Sequence, residues 1–93
     1  MEQKLLAQGT GRNGVINVFP DRIELRTGWN NENVDPVGLK QVAHTSIRGL
    51  VNCTLAIEVN DGRRILIERM ALPDARQVKA AIEDQKRKAS LYE

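Results

Sequence analysis

The sequence has few of the side chains from which catalytic and metal sites are built. Its 93 residues include one cysteine, Cys53, and one histidine, His44. A single cysteine forms no internal disulfide, and His44 has no second histidine and no cysteine at a spacing suited to zinc. We therefore expect no metal, a small buried thiol at Cys53, and His44 as a hydrogen-bonded strand or turn residue.

Long apolar runs are also missing. Nowhere do eighteen apolar residues follow one another, and the apolar stretch within residues 1–8 is too short for the core of a signal peptide. The lone cysteine fits a reducing compartment. Together these features predict a cytoplasmic protein.

Aromatic residues and excess charge are scarce as well. The three aromatic residues provide no stacking platform for nucleic acid. Fourteen basic and twelve acidic residues give a net charge of +2, and the one dense basic cluster is residues 86–88. We interpret this cluster as the solvated last turn of a helix, where cations complement the dipole, and expect no nucleic-acid partner.

What the sequence does contain is an ordered change of hydrophobic period. Short stretches of period-2 alternation, separated by turn residues, occupy about residues 3–70, and a helical period follows over about 73–90. This order predicts a single domain over 1–93 that is mainly β with one C-terminal α-helix. We expect a small bent sheet or partly open barrel covered by that helix.

Turn residues locate the first two hairpins. Asn13-Gly14 supplies the positive φ angles of a two-residue turn between strands over 4–11 and 15–19. Pro20-Asp21 fits the centre of a type I turn that leads into a strand over 22–27. The resulting register pairs Val18 with Ile23 and Ile16 with Leu25, and turns Arg22, Glu24 and Arg26 to the other face.

The middle of the chain is less regular. Residues 28–37 are rich in turn formers and predict a long loop, and residues 39–47 predict one or two short strands with a bend. Residues 60–62 then predict a three-residue hairpin loop in which Gly62 forms a bulge. This register keeps Arg64 and Glu68 off the apolar face, whereas a two-residue loop would bury their charges.

The last segment has the features of an amphipathic helix. Pro73 suits the first helical position, and Asp74 complements the positive helix end. One apolar stripe follows at helical spacing and predicts a single packed face: Ala75, Val78, Ile82 and Ala89.

Two motifs match known patterns but lack the context that those patterns need. Residues 9–14 read G-x-G-x-x-G, yet β-branched residues and Pro20 follow where a dinucleotide site requires a helix, so we predict a hairpin there. Residues 52–54 form a glycosylation sequon, which matters only in a secreted chain. Spacing places no pair of carboxylates for acid–base chemistry, so we do not expect an enzyme.

Three residues are candidates for contact with a partner. Trp29 lies in the asparagine-rich loop and is either a lid over one end of the sheet, the reading we favour, or an exposed anchor for a partner. Arg12 on the first hairpin and Arg22 at the start of the third strand are candidates for binding an anion, although separate arginines often serve only solubility.

Several runs along the chain resemble bacterial pleckstrin-homology-like domains: residues 13–25, 39–44 and 55–63, and the helix that follows Pro73-Asp74-Ala75. The resemblance covers almost the whole chain. It implies a strongly bent sheet of seven strands, closed at one end by the C-terminal helix, in a non-enzymatic binding or assembly module that often self-associates. Phosphoinositide-binding members carry a basic cluster on the first hairpin, where this chain has only Lys4 and Arg12.

The leading hypothesis is a non-catalytic domain that binds protein, either a second copy of itself or a peptide added along an open sheet edge. The alternative is weak binding to an anionic membrane surface or lipid headgroup through Arg12, Arg22 and the basic helix end. Nucleic-acid binding and thiol chemistry at Cys53 are less favoured. The sequence implies neither a cofactor nor a small-molecule substrate.

Overall fold

The computed structural model describes residues 4–28 and 32–91, and for residues 89–91 the backbone alone. Within these residues, seven strands and one long helix follow in chain order: β1 Ala7–Gly11, β2 Gly14–Val18, β3 Arg22–Thr27, β4 Asn33–Gly38, β5 Val42–Arg48, β6 Asn52–Val59, β7 Arg64–Ala71 and α1 Leu72–Leu91. A short 3-10 helix, Leu39–Gln41, separates β4 from β5.

The strands form two antiparallel sheets with the orders β1-β2-β3-β4 and β5-β6-β7. The predicted mainly β fold with one C-terminal helix is therefore confirmed. Within the described residues each strand pairs only inside its own sheet, so the structure is two sheets and not one continuous barrel. This leaves four strands at sheet edges.

The hairpin between β2 and β3 has the predicted register. Val18 lies opposite Ile23, and Ile16 lies opposite Leu25. The Phe19 N–H donates to the Arg22 carbonyl at 2.8 Å, which closes the turn around residues 20–21. Proline presets the turn geometry, and the alternation of buried and outer residues then fixes the pairing.

The hairpin between β6 and β7 also has the predicted bulged register. Ile57 lies opposite Ile65, and Gly62 has φ +98°, in the left-handed region where glycine carries no Cβ penalty. Asp61 accepts a hydrogen bond from the Arg63 N–H at 2.9 Å. This backbone bond is the main cause of the lowered pKa of Asp61.

The turn of the first hairpin differs from the prediction. Its two-residue loop is Arg12–Asn13, because Gly11 pairs with Gly14, and neither loop residue has a positive φ. Gly14 is a strand residue. A Cβ built there would lie 2.7 Å from the Arg26 carbonyl oxygen, so glycine is needed for close approach to β3 and not for turn geometry.

Asn13 is not free to set the turn because its side chain joins the two sheets. Its Nδ2 donates to the Leu66 carbonyl at 2.8 Å, and its Oδ1 accepts from the Glu68 N–H at 2.9 Å. The Arg12 N–H donates to the Glu68 carbonyl at 2.7 Å. The hairpin tip thus bonds to β7 much as a neighbouring strand residue does.

We expect Asn13→Ala to lower the free energy of unfolding by about 1–3 kcal/mol, since two hydrogen bonds of about 0.5–1.5 kcal/mol net each are lost. Asn13→Asp is the matched control. Its carboxylate still accepts from Glu68 but has no hydrogen to donate to Leu66. Urea unfolding should therefore place Asn13→Asp between the wild type and Asn13→Ala, and equal stability of all three proteins would contradict the bridge.

Part of the predicted long loop over 28–37 is a strand. β4 occupies Asn33–Gly38 and pairs with β3, with Pro36 opposite Glu24. A proline is tolerated in β4 because this strand lies at the sheet edge. A backbone N–H that points away from β3 has no partner strand, so its replacement by proline breaks no hydrogen bond of the sheet. The first strand also begins later than predicted, at Ala7 instead of residue 4.

The helix supplies one wall of the core. Ala75, Val78 and Ile82 are fully buried, as their spacing predicts, and Pro73 lies in the first helical turn. The predicted contact of Ala89 lies outside the described side chains. Buried residues from every strand complete the same core, among them Ile16, Ile23, Val37, Leu55, Ile57, Ile67 and Met70. Both sheets and the helix therefore share one hydrophobic centre.

Candidate interaction surface

The described residues do not bring the predicted partner-binding residues together at one surface. Arg12 is exposed at the tip of the first hairpin, where it lines a depression of about 400 Å³ with Gly28. Trp29 follows Gly28 but lies outside the described residues, so both interpretations of Trp29 stay predictions. Arg22 lies at the other end of β3, beside the turn after β2.

The guanidinium of Arg22 is engaged by its neighbours. It forms ion pairs with Glu24 at 2.7 Å and Asp21 at 2.9 Å, and it lies over the Phe19 ring at 4.6 Å from the centroid. The hydrogen bond to Glu24 is the main cause of the raised pKa of Arg22. Arg26 shares the same carboxylate at 3.7 Å. This group therefore stabilises the outer face of β3.

The basic end of α1 is likewise partly engaged. The Lys86 Nζ donates to the Ala43 carbonyl at 3.3 Å, and Lys88 pairs with Asp84 at 3.3 Å. Arg87 is exposed. The Lys86 contact ties the last described turns of the helix to the first residues of β5.

Cys53 and His44 lie apart in the second sheet. Cys53 is fully buried, as predicted, and its Sγ lies 3.5 Å from the Gly49 carbonyl oxygen, to which it donates a weak hydrogen bond. His44 is exposed on β5. Across the two described ranges, no group of three metal-ligating side chains is found.

The four edge strands differ in how open they are. The edges of β1 and β7 are joined near Glu68 by the hairpin contacts described above. The edge of β4 contains Pro36, which lacks an N–H and is a common feature of protected edges. β5 contains no proline and pairs on one side only, with β6. Apart from the Lys86 contact at Ala43, the edge of β5 is therefore the best suited of the four to accept another strand.

A groove runs between this edge and α1. Its volume is about 310 Å³, and it is lined by Ile47 from β5 and by Arg76, Lys79, Ala80 and Glu83 from the helix. Lys79 and Glu83 pair at 3.0 Å. Arg76 is exposed and has no ion-pair partner among the described side chains. The groove thus combines an apolar floor with one uncompensated positive charge.

The sequence prediction did not identify this groove. Ile47 was assigned to a strand, but the order β5-β6-β7 that makes β5 an edge comes only from long-range pairing. Ala80 gives no signal either, because alanine is the strongest helix former and is ordinary on a helix surface. Arg76 has no sequence feature that separates it from other surface arginines.

Comparison of the chain with protein family models and with curated proteins gave no match. Among the described residues, no helix combines the length and the apolar composition needed to cross a bilayer.

Proposed function

We propose that this chain is a pleckstrin-homology-like domain of the bacterial group, acting as a non-catalytic module that binds an extended peptide along β5. The seven strands and the final helix agree with the architecture that the sequence resemblance implies. The observation that carries the binding role is the unpaired edge of β5 beside the groove lined by Ile47 and Ala80. A buried free thiol at Cys53 fits the proposed location in the cytoplasm.

Physical chemistry favours this mode of recognition. A peptide added to a sheet edge gains affinity from main-chain hydrogen bonds, and alternate side chains provide specificity. Here one set of side chains would face the helix and enter the groove over Ile47. An acidic residue in that set would meet Arg76, so we expect preferred peptides to be extended, partly apolar and acidic.

The proposal is tested by selecting binders from a displayed library of random peptides and measuring their affinities for variants. Ala80→Trp fills the groove with a bulky ring and should weaken binding of the selected peptides at least tenfold. Gln77→Trp is the matched control, because Gln77 is exposed on the same helix but does not line the groove. Arg76→Glu should shift the selection from acidic to basic sequences.

Selection of no peptide above background, or equal affinity for Ala80→Trp and the wild type, would contradict the proposal. Light scattering identifies the source of the strand. A dimer that Ala80→Trp dissociates would mean that a second copy supplies it, as the self-assembly hypothesis expects. A strict monomer at micromolar concentration would leave a separate peptide as the ligand.

A further inference from the structure

The loop between β5 and β6 exposes the two most solvent-accessible large apolar side chains among the described residues. Leu50 is 85% exposed and Val51 is 78% exposed, whereas the next most exposed, Leu5, is 47% exposed. Exposed aliphatic pairs at a protruding tip are costly to solubility and commonly mark a contact site.

The protein holds this tip in a fixed shape. Gly49 has φ +104°, and a Cβ built on it would lie 2.8 Å from the Asn52 carbonyl oxygen. From inside the sheet, the Cys53 Sγ donates to the Gly49 carbonyl oxygen. The turn is therefore tight and anchored to the core, and residues 50–51 project from it.

Arginines flank the tip. Arg48 ends β5 and is exposed, and Arg69 lies on β7 next to Met70, which pairs with Cys53. Neither arginine has an ion pair among the described side chains. Among the described residues, Arg69 is also the one non-glycine residue with a positive φ, 54°. It lies where the pairing of β6 with β7 is interrupted by a register shift. Arg48 and Arg69 thus add two exposed basic side chains on the strands next to the tip.

We propose that the Leu50–Val51 tip inserts into the interface of an anionic lipid membrane while Arg48 and Arg69 contact its phosphates. Two aliphatic side chains on a convex turn offer far less area than the roughly 800 Å² per partner of a stable protein interface. A bilayer interface accepts an apolar tip of any shape and rewards basic residues at headgroup level. The site lies outside the β5 groove and does not depend on peptide binding.

Sedimentation with vesicles tests the proposal. The wild-type protein should bind phosphatidylcholine vesicles that contain phosphatidylserine, and binding to phosphatidylcholine alone should be much weaker. Leu50→Ser should reduce the affinity about tenfold or more, since a leucine then leaves the hydrocarbon boundary. Val34→Ser is the matched control, because Val34 is also an exposed aliphatic residue but lies on β4. The vesicle affinity of this variant should equal that of the wild type.

Arg69→Gly separates binding from folding. Glycine tolerates a positive φ, so this variant should fold at least as well as the wild type, yet bind anionic vesicles about fivefold more weakly. Rising salt should weaken wild-type binding through screening. In a Trp29→Phe background, Leu50→Trp should show a blue-shifted emission that brominated lipids quench.

Three results would overturn the lipid proposal: no sedimentation of the wild type with anionic vesicles at low salt, equal losses for Leu50→Ser and Val34→Ser, or an oligomer that Leu50→Ser dissociates without any vesicle binding. The last result would assign the tip to a second copy of the chain. Ala80→Trp should leave vesicle binding unchanged, so failure of the peptide groove and failure of the membrane tip are distinguishable.

Discussion

Replacing Ile82 by alanine should lower the free energy of unfolding by about 3 kcal/mol, within the range of roughly 2–5 kcal/mol for such changes in a close-packed core. Ile82 is fully buried and lies on the one face of α1 that contacts both sheets. Urea denaturation followed by circular dichroism measures the change. The large effect follows because the helix is a wall of the core and not an appendage.

Two controls make this result specific. Ile82→Val removes one methylene and should cost about 0.5–1.5 kcal/mol. Gln77→Ala changes an exposed position of the same helix and should stay within about 0.5 kcal/mol of the wild type. A loss below about 1 kcal/mol for Ile82→Ala would mean that the helix does not bury this face.

Gly11→Ala should cost about 2 kcal/mol or more, an effect typical of overpacking. A Cβ at Gly11 would lie 2.5 Å from the Glu68 carbonyl oxygen and would overlap the Ile67 side chain. The added methyl group therefore pushes β1 from β7 and breaks the Arg12 N–H bond to Glu68. Gly38→Ala is the control, because the nearest atom to its Cβ is 3.5 Å away and φ is −62°.

A double-mutant cycle sharpens this prediction. If Gly11→Ala already separates the hairpin tip from β7, the hydrogen bonds of Asn13 are lost in the same event. The combined Gly11→Ala and Asn13→Ala variant should then be less destabilised than the sum of the single changes. Strict additivity, or a stable Gly11→Ala protein, would show that the two sheets do not meet at this point.

The hairpins whose turns are determined by nearby residues could be predicted from the sequence. Pro20-Asp21 and residues 60–62 determine their turns by themselves, and the alternation of apolar residues then fixes both registers. The turn at Asn13-Gly14 was predicted one residue too late. Asn13 forms hydrogen bonds with Leu66 and Glu68, which lie 53 and 55 residues later in the sequence. No local propensity encodes contacts over such a separation.

Edges and exposed surfaces were harder to predict for the same reason. β4 was predicted as loop because Pro36 and its polar neighbours are turn formers, and they are compatible with a strand only at a sheet edge. The groove beside Ile47 and the exposure of Leu50 depend on which strands end up unpaired. The sequence carries the aliphatic pair after Gly49, but only the packed structure shows that nothing covers it.

The edge of β5 is the proposed binding site for another chain. Amide hydrogen exchange, measured on the 93-residue chain with and without a peptide selected from the displayed library, tests this site. We expect new protection over residues 42–48 and in the part of α1 that lines the groove, with β4 and the first hairpin unchanged. Protection of β4 or of the first hairpin, with β5 unaffected, would contradict the claim.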